Sequence, residues 1–334
     1  MKNLVLFLVV ILVLGCVSRP KSIKNTNVGT ALGTSYSIIY IADMQLNFQR
    51  EIDSVFKAIN RSMSTYISSS DISKINNGDT TVVADAMLKD VFNVSTEVYS
   101  ASKGYFDPTV GVLVNAWGFG PGKQMKLDST QVDSLLQYVG WDKVKLSNNG
   151  TIVKQNSNIR FDFNAVAKGY AIDCIGRLLT QKGIQNYLIE VGGEVLTKGE
   201  NTFTKKQWTV GIDQPNNIEK RGSAAVIKLK DRALASSGNY RKFRIDQITG
   251  EKYVHTINPI TGFTKNSNVL AATVLASNCA TADAYATAFM AMDLEDSKKL
   301  LTLNKNELDT FIIYVDDEGN QNYFLTKGFE ELLK

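Results

Sequence analysis

In ATADAYATAF, Asp283 and Thr287 stand four residues apart. On a helix that spacing puts a carboxylate and a hydroxyl on one face, where they offer two hard oxygen donors of the kind Mg²⁺ takes. The neighbouring alanines permit close approach of other backbone or of a ligand. The same pattern also fits a helix packed by its alanine face, with Thr287 bonding back to a carbonyl. A second stretch, RFDFNAVAKGYA, ends a strand at Asp162 and offers Asn164 as N-cap of a helix that carries Lys168. Free N–H groups at a strand-to-helix junction, with a lysine beside them, suit phosphate; a capped helix with a solvated lysine is the plainer reading. The third is HTINPITG, which holds His255, the chain's one histidine. A single imidazole is often a packed structural residue, yet it is the side chain whose unperturbed pKa suits it as a base near neutral pH.

Weaker signals lie between these. FDPTVG sets Asp107 beside a turn-forming Pro and a permissive Gly. MSTYISSSDIS places Tyr66 in a polar loop, where its ring could stack on a base or a flavin. EVGGEV puts Gly192-Gly193 at a strand end, where backbone approaches something closely. Neither GxGxxG nor GxxxxGK[ST] occurs, which removes the common dinucleotide and P-loop readings. Cys174 and Cys279 lack CxxC spacing and read as small core residues; nothing in their spacing requires a disulfide.

The elements that must position these groups follow from periodicity. Strands are expected at 35–42, 143–147, 151–154, 159–162, 187–191, several within 207–257, 269–277, and near 310–315 and 321–325. Helices are expected at 43–63 with Asp43 as N-cap, 84–104 closed by Gly104, 129–139, 164–183, 279–292, 293–303 and at the end of the chain. Residues 64–79 read as a polar loop and 106–122 as a Gly-rich stretch. No repeat or composition break divides the chain, so the pattern is one α+β domain with a mixed or antiparallel sheet.

The 334 residues, 44% apolar and 21% charged, can bury a sizeable core. A net charge of +4, with no Lys/Arg run longer than two, argues against nucleic acid as partner. The start, MKNLVLFLVVILVLGC, has one lysine and then an uncharged run to Leu14. That run is a signal-peptide h-region, too short to span a membrane comfortably. VLGC resembles a bacterial lipobox, in which Cys16 becomes the lipidated first residue. Residues 1–15 are thus expected to be a lipoprotein signal, 16–30 a flexible tether, and 31–334 the folded domain.

Eight stretches occur together and in order: MSTYISSSDISKIN, GYFDPTVGVLVNAWGFG, FDFNAVAKGYAID, YLIEVGGEV, WTVGIDQP, ALASSGNYRKF, HTINPITG and CATADAYATAF. In this the chain resembles the FAD:protein FMN transferases (ApbE-type flavin transferases) over most of its length. The resemblance implies an ApbE-like, T-fold-related α+β domain that takes FAD as substrate and Mg²⁺ as cofactor. It implies transfer of FMN to a Thr or Ser hydroxyl of an acceptor protein, with AMP leaving. It implies metal ligands Asp283, Thr287 and the Ala165 carbonyl, and FAD contacts at Tyr36, Tyr66, Tyr105, Phe106, Asp107, Asp162, Lys168 and Ile257. His255 matches the family's catalytic histidine. Acceptors of relatives include membrane redox-pump subunits and exported electron-transfer proteins. The implied location is the periplasmic side of the bacterial inner membrane, reached by a lipid anchor. Two residues depart from the family pattern: Asn164 stands where Ser or Gly is common, and Asn258 where Asp is usual in HxIDP. Hydrolysis of FAD to FMN and AMP, or a non-catalytic flavin-binding lipoprotein, are the alternatives; Tyr66 favours transfer over hydrolysis.

Overall fold

The computed structural model describes residues 22–213, 223–239, 243–245, 252–254, 256–264, 268–303 and 307–333. Cys16, the signal segment and His255 lie outside the described residues. The strands are β1 (Ile23–Ala31), β2 (Thr34–Ala42), β3 (Val144–Leu146), β4 (Ile152–Lys154), β5 (Asn186–Val191), β6 (Glu194–Lys198), β7 (Trp208–Asp213), β8 (Ser223–Leu229), β9 (Ala233–Gly238), β10 (Phe243–Ile245), β11 (Lys252–Val254), β12 (Val269–Ala276), β13 (Asp309–Val315) and β14 (Gln321–Leu325). The helices are α1 (Gln49–Met63), α2 (Asp71–Asn76), α3 (Ala86–Ala101), α4 (Gly111–Ala116), α5 (Ser129–Leu136), α6 (Asn164–Gln181), α7 (Cys279–Ala291), α8 (Leu294–Leu303) and α9 (Lys327–Leu332).

Among the described residues one sheet of 8 strands runs β1-β2-β5-β6-β9-β12-β13-β14, and each of its pairings is antiparallel. Its central strands are buried on both faces. In β12, Ala272, Val274 and Ala276 join the core under the helices, while Ala271 and Leu275 join a second core with Ile212, Ile227 and Phe329. That is why VLAATVLA is apolar at all but Thr273 instead of alternating. Helices α1, α3, α6 and α7 cover one face; the β7–β8 hairpin and α9 cover the other. A third apolar cluster joins α4 and α5 to residue Ile257.

The expected tether gives way to structure from Ile23, and Asp43 is not a helix cap. One network explains both corrections. Asn25 and Asn27 are buried on β1. The Asn25 amide oxygen accepts from Leu46 N at 2.8 Å and its Nδ2 donates to Met44 O at 3.2 Å. Asn27 accepts from the Tyr40 hydroxyl at 3.0 Å and donates to Asn47 at 2.8 Å. Residues 43–48 are therefore held as a connection pinned to β1, and α1 starts at Gln49 with Phe48 at its N-cap. Polar residues that look solvated in sequence are here the satisfied interior of an edge strand.

Three smaller expectations also change. Residues 159–162 form a single parallel bridge, Val110 to Arg160, in place of a strand. Asn164 is the first helical residue of α6, not its cap. The polar loop after α1 contains α2, capped by Ser70, whose side chain accepts from Ser73 N. Among the described residues no helix is long and apolar enough to cross a membrane.

Candidate active site

The site is built where α6 crosses α7. Gly169 permits the crossing: a Cβ there would lie 2.3 Å from the Cys279 carbonyl oxygen. Two contacts set the register. Gly169 N donates to Asp283 Oδ2 at 3.1 Å, and Asp173 accepts from Cys279 N at 2.8 Å and Ala280 N at 2.9 Å. The second contact supplies an acid to the free N–H groups at the start of α7, beside the Asn278 cap. Burial pushes the Asp173 carboxyl up to about 6, against the pull of those two N–H groups. Residues 169 and 173 of α6 thus face 283 and 279 of α7, an antiparallel register. By that register Ala165, one turn back on α6, falls opposite Thr287, one turn on along α7; both are half-buried.

The sheet adds a third contributor. Gly192 and Gly193, at φ 65° and 102°, make the two-residue turn between β5 and β6; positive φ at both positions is the geometry such hairpins demand. Glu194 then opens β6, 5% exposed. The Lys168 ammonium donates to Glu194 Oε1 and stands 3.5 Å from Asp283 Oδ2. Burial alone would lower the Lys168 pKa, but Asp283 and Glu194 outweigh it and hold the ammonium above its ordinary range. Glu194 Oε2 is buried and has no hydrogen-bond partner. Among the described residues no three His, Cys, Asp or Glu side chains converge as a metal cage, so a cation here would draw on hydroxyl and carbonyl oxygens as well as carboxylate.

Three loops are joined just before α6. Asp162 N donates to Pro108 O at 2.7 Å, joining the FDP and DFN segments. The Asp162 carboxylate accepts from Asn164 N at 2.8 Å, and burial raises its pKa. Asn76 brackets Phe161 from the α2 loop, donating to its carbonyl at 2.9 Å and accepting from its N–H at 2.7 Å. Tyr66 presents an open ring, 62% exposed. Its hydroxyl lies 3.5 Å from Phe119 O. Partial burial and the nearby Asp162 carboxylate raise its pKa, which puts Tyr66 and Asp162 in one neighbourhood.

Other protein groups partner the remaining residues matched by resemblance. Tyr36 is buried on β2 against Phe56, its ring centroid 5.0 Å away, and its hydroxyl accepts from Gln49 at 2.6 Å. The Tyr105 hydroxyl points to Asp296 on α8, 3.5 Å away. Phe106 is core. Asp107 organises a loop, accepting from Thr109 N and Oγ1 at 2.8 and 2.6 Å and from Trp141 N at 3.0 Å. Burial pushes its carboxyl up to about 6, and it borders a cavity of about 320 Å³ with Tyr99, Lys103 and Pro259. Ile257 packs on Leu113 and Trp117.

The loop after His255 explains one departure from the family pattern. Asn258 Oδ1 accepts from Ile260 N at 2.9 Å and Thr261 N at 3.2 Å, while its Nδ2 faces Ala291 O at 3.5 Å. A carboxylate could make the first two contacts but not donate to the third. On the side preceding it, Thr256 Oγ1 donates to Asn239 at 2.8 Å. Sequence reasoning missed Glu194 and Asp173. The signal for Glu194 was a carboxylate placed directly after Gly-Gly at the start of a buried strand.

Comparison with known proteins agrees with this architecture. Residues 32–312 match the ApbE family. The chain is 32% identical over 313 residues to a protein of Haemophilus influenzae named FAD:protein FMN transferase, covering 90% of this chain and 88% of that one. It is 31% identical to a Vibrio cholerae protein of the same name, covering 97% of each. The solved structure of the flavin transferase ApbE from Vibrio cholerae superposes with a TM-score of 0.82 at 28% identity, covering 94% of this chain and 100% of that one. The apo flavinyl transferase ApbE of Pseudomonas stutzeri, at 24% identity and a TM-score of 0.82, shares the fold.

Proposed function

The chain belongs to the ApbE family, and on that premise we propose that it transfers the FMN portion of FAD to a Thr or Ser hydroxyl of an acceptor protein, with AMP leaving. The observation that carries the reading is the group of one part-exposed ammonium and two buried carboxylates, Lys168, Glu194 and Asp283. It lies on the α6–α7 pair, whose antiparallel register supports setting Ala165 opposite Thr287.

These donors fit a hard divalent cation. Asp283 offers a carboxylate, Thr287 a hydroxyl and Ala165 a carbonyl, and a buried carboxylate oxygen of Glu194 is unpartnered beside them. Mg²⁺, when bound, supplies positive charge that offsets the phosphoryl oxygens and the leaving group. The chain's own residues do the rest. Lys168 adds a fixed positive charge at the same phosphates. The exposed Tyr66 ring offers a face on which a flat heterocycle stacks. The acceptor hydroxyl is a weak nucleophile until a base takes its proton; His255 is that base, and the proton moves to its imidazole. The new O–P bond forms at the phosphorus of the FMN half as its bond to the AMP oxygen breaks. Such a base contributes about 10²–10⁴ in rate.

Cys16 is proposed to carry a lipid anchor on the periplasmic side of the inner membrane, supported by the uncharged run before Gly15-Cys16. Acceptors are then exported or membrane redox proteins.

The test uses the chain from Val17 onward with FAD and Mg²⁺, with and without a Thr-containing acceptor, beside His255→Ala. AMP release and in-gel fluorescence after denaturation are followed. A fluorescent acceptor band, absent with His255→Ala, is expected. AMP and FMN without a labelled acceptor would establish hydrolysis instead. Tight flavin binding with no AMP would leave a binding protein.

A further inference from the structure

Glu194 has a bond on one side and none on the other. Oε1 takes the Lys168 ammonium, while the buried Oε2 has no hydrogen-bond partner. A buried carboxylate oxygen in that state is costly, and native structures seldom leave one so without a reason. The oxygen has capacity for one more positively polarised partner.

The surroundings say what kind. Lys168 is shared between Glu194 and Asp283, so one part-exposed ammonium is set against two buried carboxylates. A low-dielectric setting makes that imbalance attract a cation strongly. The Gly-Gly turn keeps a side chain off Oε2. A Cβ at residue 192 would stand 3.3 Å from Oε2 and 2.9 Å from Thr34 Cγ2. The β5–β6 turn therefore brings an acid to the α6–α7 crossing with no side chain from residue 192 set against its second oxygen.

We propose that Glu194 belongs to the cation site, with Oε1 anchoring Lys168 and Oε2 accepting a hydrogen bond from a water in the shell of a divalent cation held at Asp283. The inference rests on the cation reading given above. Outer-shell acceptors of this kind orient bound water and hold the inner ligands in place. Lys168 stays on Glu194 and leaves Asp283 available.

The experiment measures Mg²⁺ affinity by calorimetry and Mn²⁺ affinity by electron paramagnetic resonance on the folded, flavin-free chain from Val17 onward. Glu194→Gln retains an acceptor for Lys168 and removes the charge. It is expected to weaken cation binding about 10–100-fold, both with Lys168 present and in the Lys168→Met background. Glu194→Asp, which keeps the charge but withdraws it by one methylene, is expected to lose less. Circular dichroism and urea midpoints without metal separate loss of the site from loss of the fold, since a purely structural glutamate would leave the affinity of the folded fraction unchanged. Wild-type affinity in Glu194→Gln, with binding lost in Asp283→Asn, overturns the proposal and leaves the cation reading standing. A Glu194→Gln effect that vanishes in the Lys168→Met background also overturns it, because Glu194 would then act through Lys168 alone. Wild-type protein that binds no cation sinks the cation reading itself.

Discussion

Gly169→Ala tests the crossing on which the site depends. The added Cβ would meet the Cys279 carbonyl oxygen at 2.3 Å, its carbon at 2.6 Å and Ala280 N at 2.8 Å. Ordinary contact begins near 3.4 Å, so α6 and α7 must part locally by about 1 Å. All three atoms are backbone, so no rotamer change relieves the clash. Overpacking of this kind costs ~1–3 kcal/mol or more, and alanine's better helix propensity returns about 1 kcal/mol. With backbone on both sides the upper end of that range applies, about 3 less about 1, a net loss of roughly 2 kcal/mol, read as a lower urea midpoint with unchanged slope. The same displacement stretches the 3.1 Å bond from Gly169 N to Asp283 Oδ2 beyond hydrogen-bond range. Cation affinity and AMP release should therefore fall further than stability alone explains, measured well below the unfolding midpoint. A Gly169→Ala protein as stable as wild type, or more so, would refute the reasoning, because helix propensity would then outweigh the contact.

Asn258→Asp is expected to destabilise by about 1–3 kcal/mol in thermal melts, since a buried amide donor facing Ala291 O is replaced by an acceptor; an unchanged melting temperature would show that the contact is dispensable. Asp107 gives a pH signature. Its folded pKa, about 6, lies above the ordinary value of 3.8, so the folded state holds the extra proton, and the ionisation penalty present above pH 6 is relieved as pH falls towards 4. Wild type should gain up to ~3 kcal/mol on Asp107→Asn between pH 7 and 4, measured as the gap between their urea midpoints; a pH-independent gap contradicts this. Cys16→Ser should abolish incorporation of labelled palmitate and release the protein from membranes, and persistent labelling would remove Cys16 as the anchor site.

Much of the framework is legible in local sequence. The strands and helices around the crossing carry period-2 or unbroken apolar patterns and helical spacing, and they form close to where those patterns place them. The Asp283/Thr287 pair and the DFN-to-Lys168 junction announce themselves by spacing because each is contained within one element. Where local reading fails, a distant partner decides. Asn25 and Asn27 look like solvated tether residues until Tyr40 and the 44–47 segment bury them. Asp43 looks like a cap until the pinned connection moves the start of α1 to Gln49.

The sequence by itself determined the class of fold, the family resemblance and the types of donor available, because periodicity and short motifs are properties of contiguous residues. Only the tertiary structure decided which of those donors meet. Gly169 and Asp283 are 114 residues apart, and Glu194 reaches Lys168 from a different strand turn. Such pairings depend on the packing of two helices through a missing side chain at Gly169 and on a hairpin whose two glycines take positive φ. No local pattern encodes the distance between them; close packing of the core does.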